Sequence, residues 1–566
     1  MAKTLLLLIR RGLAICLLLS ALPRLSHAQC RPAEGHAFLE NDQIRAMMLN
    51  DGGLFYRPGL NSHHVVPKNE NKRAIFAASF WMGGMVDGQL RTSGTRYVQR
   101  HFRPGPVPPT RGRTAPVDSL ACAPYDRIYS LTEEDIRALN ARGELTDNVL
   151  EWPWELGAGV VDGDGVPGNY NPLGGDRPAL SGQQTLWWHM NDAAGERPTE
   201  INGFPVQSGI PLGVELRVRA VLYRTSGDIG ATPLIEVEVH ATEPVRDAHF
   251  GVWVDADLGN FDDDYQASDS LLHLGYFYNA DEADEGAEGY GNRPPAVGLV
   301  FMEGPVADAD GRDNDRDGQV DEPGEQLGMS SFVCSPKTSG EPQKPEEYWA
   351  NLTGLQKDGT AQREGGSFYD FDRGGPPTRF CYSGDPTQRG FWTMENYDGN
   401  GTSMPPADMR FLANMGPFDL EPGEPVTIAF AFPFSRGDSR LDSVRRLKSL
   451  AGQLRASGPG LLDPTVHVGE GEYIPPDTEP PPGFSTPFPN PADAQTVFQL
   501  SVPVTSQVSL EVFDILGRSV AVLMDGETRP GPYRLTLDTV DLPTGVYLAR
   551  FRLNHLQFTR RLVVAH

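Results

Sequence analysis

Short runs in which apolar and polar residues alternate, each cut off by Gly, Pro or Asp, limit what this chain can fold into. They are densest near its C-terminal end, at 497–502, 508–513, 533–537, 545–551 and 559–564. Period-two alternation of β-branched and aromatic residues puts one side of an extended strand in a core and the other in water. Breaks at Asp514, Gly517, Gly531 and Pro543-Thr544-Gly545 supply turns, so residues 484–566 read as an Ig-like antiparallel β-sandwich. Upstream, 213–223, 234–239 and 426–432 alternate in the same way, and 62 Gly and 49 Pro exclude a helical bundle. Two helices are expected within this mainly β chain. One spans 131–140, with Thr132 as N-cap before three acidic residues; the other spans 438–456, with Leu441, Val444, Leu447, Leu450 and Leu454 at helical spacing.

The expected layout has four parts. Residues 1–28 carry Lys3, Arg10 and Arg11, a short apolar run and Ser26-His27-Ala28, the pattern of a signal peptide cleaved after Ala28. That run is too short to cross a bilayer, and no later stretch is long enough, so no transmembrane segment is expected after cleavage. Residues 29–472 form a large β-rich region with room for two sub-domains. Residues 473–483, rich in proline, form a semi-rigid linker, and 484–566 are the small sandwich.

Charge separates these parts. The formal net charge is −26, and with the four basic residues of the signal removed, 45 basic residues face 75 acidic ones. Residues 484–566 hold seven acidic and seven basic residues, so the whole excess lies upstream. Such a field disfavours nucleic acid and anionic membrane as partners, so no nucleic acid partner is expected, and it favours cations. Once Cys16 is lost with the signal, Cys30, Cys122, Cys334 and Cys381 remain, an even number in an exported chain. Pairing nearest neighbours gives Cys30–Cys122 and Cys334–Cys381, with three connectivities open.

Pro489-Asn490-Pro491, the run 508–518 ending in Asp514-Ile515-Leu516-Gly517-Arg518, Leu542-Pro543-Thr544-Gly545-Val546-Tyr547 and the basic-then-apolar end resemble the type A C-terminal sorting domain of the type IX secretion system. The resemblance implies that Pro489, Asn490, Pro491, Gly517, Arg518, Gly545 and Tyr547 belong to a sorting signature. It implies the secretion machinery as partner, passage through the periplasm, and delivery to the outer surface or the medium. There the domain is commonly removed or exchanged for a lipopolysaccharide anchor. Where that family's last strand usually carries Lys, this chain has Arg560-Arg561.

The strongest chemical signal is 313–322, Asp-Asn-Asp-Arg-Asp-Gly-Gln-Val-Asp-Glu. Carboxylates at alternate positions with Gly sixth turn several hard oxygens onto one cation. Asp313, Asp315 and Asp317 would give side-chain oxygens, Gln319 its carbonyl and Asp321 a direct or water-bridged contact, with Glu322 or Glu325 completing the shell. Gly324 stands where an EF-hand has its bidentate Glu, and the loop instead resembles one isolated thrombospondin type 3 calcium repeat. Calcium is therefore the expected cofactor, in a structural role. A second acidic group, Asp255, Asp257, Asp262, Asp263 and Asp264, follows a strand-like run at 250–254 and forms a weaker cation candidate. Asp162-Gly163-Asp164-Gly165 reads as an ordinary turn.

No G-x-S-x-G elbow, H-E-x-x-H, phosphate loop or dinucleotide fingerprint occurs. The first expectation is therefore an exported, calcium-stabilised surface or extracellular protein, non-enzymatic or with its activity left open. The alternative is a secreted carbohydrate-binding protein or glycoside-active enzyme. It would use exposed members of the eight Trp, all upstream of residue 393, and surface glycans as partners.

Overall fold

A computed structural model describes residues 33–463 and 483–565, apart from 98–99, 108–123, 193–199, 202–203, 206–208, 226, 308–309, 315–319, 337–340, 368–373, 485–486, 488–489, 491, 503–505, 516, 529–530, 541 and 554–555. The chain divides into two compact units, Met1–Glu472 and Tyr473–His566. Among the described residues it is mainly β, and no helix is long and apolar enough to cross a membrane.

The large unit is built on two antiparallel sheets. At the centre of the first, Ile75–Val86, Val245–Ala256 and Met409–Leu420 lie side by side. Each is twelve residues long and buried along most of its length, and the first reads as a nearly unbroken apolar run. A strand covered on both faces has no wet side, so alternation disappears. One face meets the second sheet and the other is covered by the helix Pro345–Leu352, through Trp81, Trp253, Tyr348, Leu352 and Leu412.

The second sheet holds the strands whose alternation is legible. Val214–Leu222 pairs with Leu234–Ala241, which pairs with Val426–Ala431. Leu216, Val218, Ala220, Val237 and Val239 point into the sandwich, while Arg217, Arg219, Glu236 and Glu238 form a charged ladder outside. Phe80 and Phe250 of the first sheet meet Phe430 of the second at ring separations of 5.9 and 6.2 Å, and Phe411 stacks on Phe277 at 4.7 Å. The two inner faces thus form one core.

Both expected helices are present. Glu133–Arg142 starts at Thr132, whose hydroxyl accepts from Asp135 N–H while the Asp135 carboxylate accepts from Thr132 N–H, a reciprocal cap. Arg440–Ser457 buries Val444, Leu447, Leu450 and Leu454 against the strands Leu274–Asn279 and Ala296–Glu303. A buried disulfide joins Cys334 and Cys381. Cys30 and Cys122 lie outside the described residues.

The small unit is a sandwich of a three-stranded and a four-stranded sheet around Phe498, Leu500, Val508, Leu510, Val512, Ala549, Phe551 and Leu562. All five expected strands form, joined by Gly483–Phe484 and Ser519–Thr528. The latter escaped recognition because its β-branched Val520 and Val522 point outward and are exposed.

Candidate cation sites and the sorting signature

The 313–325 segment is closed by its own acidic residues. Glu325 is 3% exposed and accepts Asn314 N–H and, at 3.0 Å, Asp321 N–H, so it ties the two ends together. Asp321 adopts a left-handed backbone (φ 57°) and accepts Gly311 N–H at 2.8 Å. Asp313 and Glu322 are half-buried. Asp315, Asp317 and Gln319 lie outside the described residues. With both carboxylate oxygens taken by backbone N–H groups, Glu325 closes the loop. A cavity of about 230 Å³ lies beside it, lined by residues that include His273, Glu303, Gln326 and Arg455.

The second acidic group divides into two centres. Asp255 and Asp257 meet Asp408, with carboxylate oxygens within 4.8 Å of one another. Here a protein cation already sits among them. Arg410, opposite Asp255 in the ladder, lies 3.3 Å from Asp255, 2.8 Å from Asp408 and 3.1 Å from Glu341. The Tyr97 hydroxyl donates to Asp255 at 2.5 Å, and Arg96 pairs with Glu341 at 2.7 Å. Burial pushes the Asp255 carboxyl up, and the Arg410 guanidinium opposes that rise. Asp257 also faces Arg73 at 3.7 Å.

Asp263 and Asp264 belong to the other centre, with Asp284. Asp264 is fully buried where the strand Asp264–Asp269 begins, and its Oδ2 accepts Leu258 N–H at 3.2 Å. Asp284 is buried and accepts Asn260 N–H at 3.0 Å and Tyr290 N–H at 2.7 Å. Gly259 permits this approach: its φ is +77°, and a Cβ there would lie 2.0 Å from Asp284 Oδ2. Burial first, then the Asp284 charge, pushes Asp263 up to about 7. Burial, then the Asp263 charge, holds the Asp264 carboxyl well above the ordinary carboxylate range. Asp262 is exposed and belongs to neither centre.

Asp162 and Asp164 form a third acidic group with the buried Asp176. Asp176 accepts N–H groups from Gly163, Asp164 and Asn171 at 2.9, 3.2 and 2.7 Å, so it pins a turn. Sequence reasoning missed Asp408, Arg410, Glu341, Tyr97, Asp284 and Asn279. Only the acidic run 281–285, just after an aromatic strand, carried a local signal.

Of the eight Trp, six are buried, and Trp154 and Trp349 are half-buried. Trp187 and Trp188 point to opposite faces, yet both are covered, Trp188 by the sandwich core and Trp187 by a satellite cluster with Tyr129, Leu139 and Trp152.

In the small unit the signature residues have structural tasks. Gly517 takes φ +78° in the turn where Asp514 accepts Arg518 N–H at 2.9 Å and pairs with the Arg518 side chain at 2.7 Å. Asn490 donates to Arg561 C=O at 3.0 Å and accepts Val563 N–H at 2.7 Å, clamping the last strand. Tyr547 is buried and its hydroxyl donates to Pro543 C=O at 2.7 Å. At Gly545, which opens a strand, an added Cβ would meet nothing closer than 3.8 Å, so packing does not demand glycine there. Pro489 and Pro491 lie outside the described residues.

Comparison with known proteins agrees with this unit and leaves the large one unassigned. Residues 486–565 match the family model of the secretion system C-terminal sorting domain. No curated protein matches the chain. Among solved structures, a polysaccharide lyase is 7% identical with a TM-score of 0.23, over 94% of this chain and 46% of its own. Dimeric latent PorU from Porphyromonas gingivalis is 12% identical with a TM-score of 0.16, over 68% of this chain and 31% of its own. The chain thus spans less than half the length of either, and similarity this low carries no argument about fold or activity. Residues 486–565 are a type IX secretion C-terminal sorting domain, and the chain is exported to the cell surface or the extracellular space.

Proposed function

We propose that the large unit is a calcium-stabilised cargo of type IX secretion that works at the cell surface or in the medium. After cleavage behind Ala28, the secretion machinery recognises the small unit and releases the protein or attaches it to surface lipopolysaccharide. The observation that carries the calcium reading is the closure of the 313–325 segment by Glu325, which brings Asp313, Asp321 and Glu322 back to one end of the loop. The sequence between them supplies alternate carboxylates, hard oxygens of the kind calcium takes, with Arg316 the one basic residue within 313–325. The carbohydrate reading draws no support from the six buried tryptophans, which leaves it only the half-buried Trp154 and Trp349.

Calcium that binds only the folded state stabilises it by RT ln(1 + [L]/Kd), about 2.7 kcal/mol at one hundred times Kd. Extracellular sites bind at about 10⁻⁴ to 10⁻³ M, so millimolar calcium is expected to raise Tm, and magnesium to raise it less. Asp315→Ala with Asp317→Ala is expected to remove the part of that rise due to the loop and to leave export intact. Equal melting in calcium and in chelator for the wild-type protein contradicts the reading.

A further inference from the structure

The centre formed by Asp263, Asp264 and Asp284 has buried oxygens that accept no hydrogen bond. They are Asp263 Oδ1 and Asp264 Oδ1, and Asn279 Oδ1 is buried without a hydrogen bond in the same way. Asp264 and Asn279 are both fully buried and are cross-strand partners, so their side chains stand on the same face of the sheet. The Asn279 amide nitrogen donates to Asp281 C=O at 3.2 Å, which leaves its oxygen free beside Asp264. The other oxygens of the two carboxylates are engaged, Asp264 Oδ2 by Leu258 N–H and Asp263 Oδ2 by the Asn260 side chain at 3.2 Å. Each aspartate is thus fixed by one oxygen and offers the other.

Three acidic side chains and an orphaned amide oxygen are costly to gather out of water, because a buried acceptor without a partner loses its hydration for nothing. At the neighbouring centre Arg410 supplies the compensating charge. Here Lys72 is the cation that acts on Asp284, and its ammonium donates to Ala287 C=O at 2.9 Å. A donor set of carboxylate and amide oxygens without nitrogen or sulfur suits a hard divalent ion, and calcium takes protein oxygens in flexible geometry where magnesium demands a near-ideal octahedron and keeps its waters.

We propose that Asp263, Asp264 and Asn279 bind one calcium ion within the sandwich, at a site separate from the 313–325 loop, with the charge of Asp284 nearby. The ion locks the start of the strand Asp264–Asp269 to the end of its neighbour Leu274–Asn279. Its tie to the loop from Leu258 to Asn260 also joins the end of a first-sheet strand to the edge of the second sheet.

The test uses the full exported chain and calcium alone. Crystals soaked in calcium are expected to show an anomalous peak within about 2.3–2.6 Å of the free oxygens of Asp263, Asp264 and Asn279. In calorimetric titration, Asp264→Asn, which nearly preserves shape, is expected to weaken this site by at least roughly the 10–100-fold seen for loss of an outer partner. Without calcium, the same variant is expected to melt no lower than chelated wild type, since the amide nearly preserves the shape of the carboxyl it replaces. Asp315→Ala with Asp317→Ala is expected to leave the anomalous peak in place. Absence of the peak, or a calcium titration unchanged by Asp264→Asn, overturns the proposal. A peak confined to the 313–325 loop overturns it while sparing the loop reading; a peak confined to this centre does the reverse.

Discussion

Arg410 shows how much one side chain can hold. Its side chain is 7% exposed, and it serves Asp255, Asp408 and Glu341, whose side chains are 2%, 10% and 23% exposed. Breaking a buried ion pair by removing one partner typically costs about 3–5 kcal/mol, because the other charge is left without compensation. Arg410→Met is therefore expected to lower unfolding free energy by about that amount, read as a shift of the urea midpoint. A loss below about 1 kcal/mol would mean that the carboxyls take up protons instead of needing the arginine. Arg137 and Glu134 form a pair at the same 2.8 Å distance on a helix surface, with side chains 48% and 61% exposed. Breaking that pair is expected to cost at most about 0.5 kcal/mol.

At the scale of an element, Asp135 organises a helix start. Its carboxylate accepts from Thr132 N–H and hydroxyl at 2.9 and 2.7 Å, from Thr146 hydroxyl at 2.7 Å and from Asn148 at 3.1 Å. Burial alone would raise its pKa, but these hydrogen bonds outweigh burial and hold the group below its ordinary value. A carboxyl depressed in the folded state contributes stability above its unfolded pKa of about 3.9, and that contribution is lost as pH falls through the folded value. Asp135→Asn is expected to cost about 1–2 kcal/mol at pH 7, and the gap to wild type should narrow as pH falls below about 4. Urea midpoints at neutral and acidic pH check both parts, and a gap that widens in acid contradicts the assignment. The Cys334–Cys381 bridge fastens the edge strand Ser331–Pro336 to a bond partner 47 residues away. Closing a loop of that size is worth about 4 kcal/mol in the chain-entropy account and typically about 2–4 kcal/mol when measured. Cys334→Ser is expected to lose that much, and peptide mapping without reductant should recover the pair as one linked species.

The whole molecule carries two cores, one in each compact unit. A unit with its own core folds without the other. Deleting residues 484–566 is therefore expected to leave the large unit folded and held in the periplasm. Cell fractionation with a protease-resistance assay checks both halves of that statement. Export of the truncated chain would contradict the sorting assignment, and loss of resistance would contradict the independence of the cores.

The mainly β class, both helices and the sorting domain were legible because their signals lie in consecutive residues. Val214–Leu222 alternates since one face is wet, Thr132 and Asp135 cap a helix within four positions, and Asp514 to Arg518 close a turn within five. The strands Ile75–Val86 and Met409–Leu420 were not legible, because burial on both faces erases the period that distinguishes a strand. Nor could sequence join Asp255 to Arg410, 155 residues on, or Asp264 to Asn279 across a hairpin. Composition showed that acidic residues were abundant; only the pairing register decided which received an arginine and which were left facing one another. That register is set by burying both inner faces of the sandwich at once, a condition that no single stretch of chain contains.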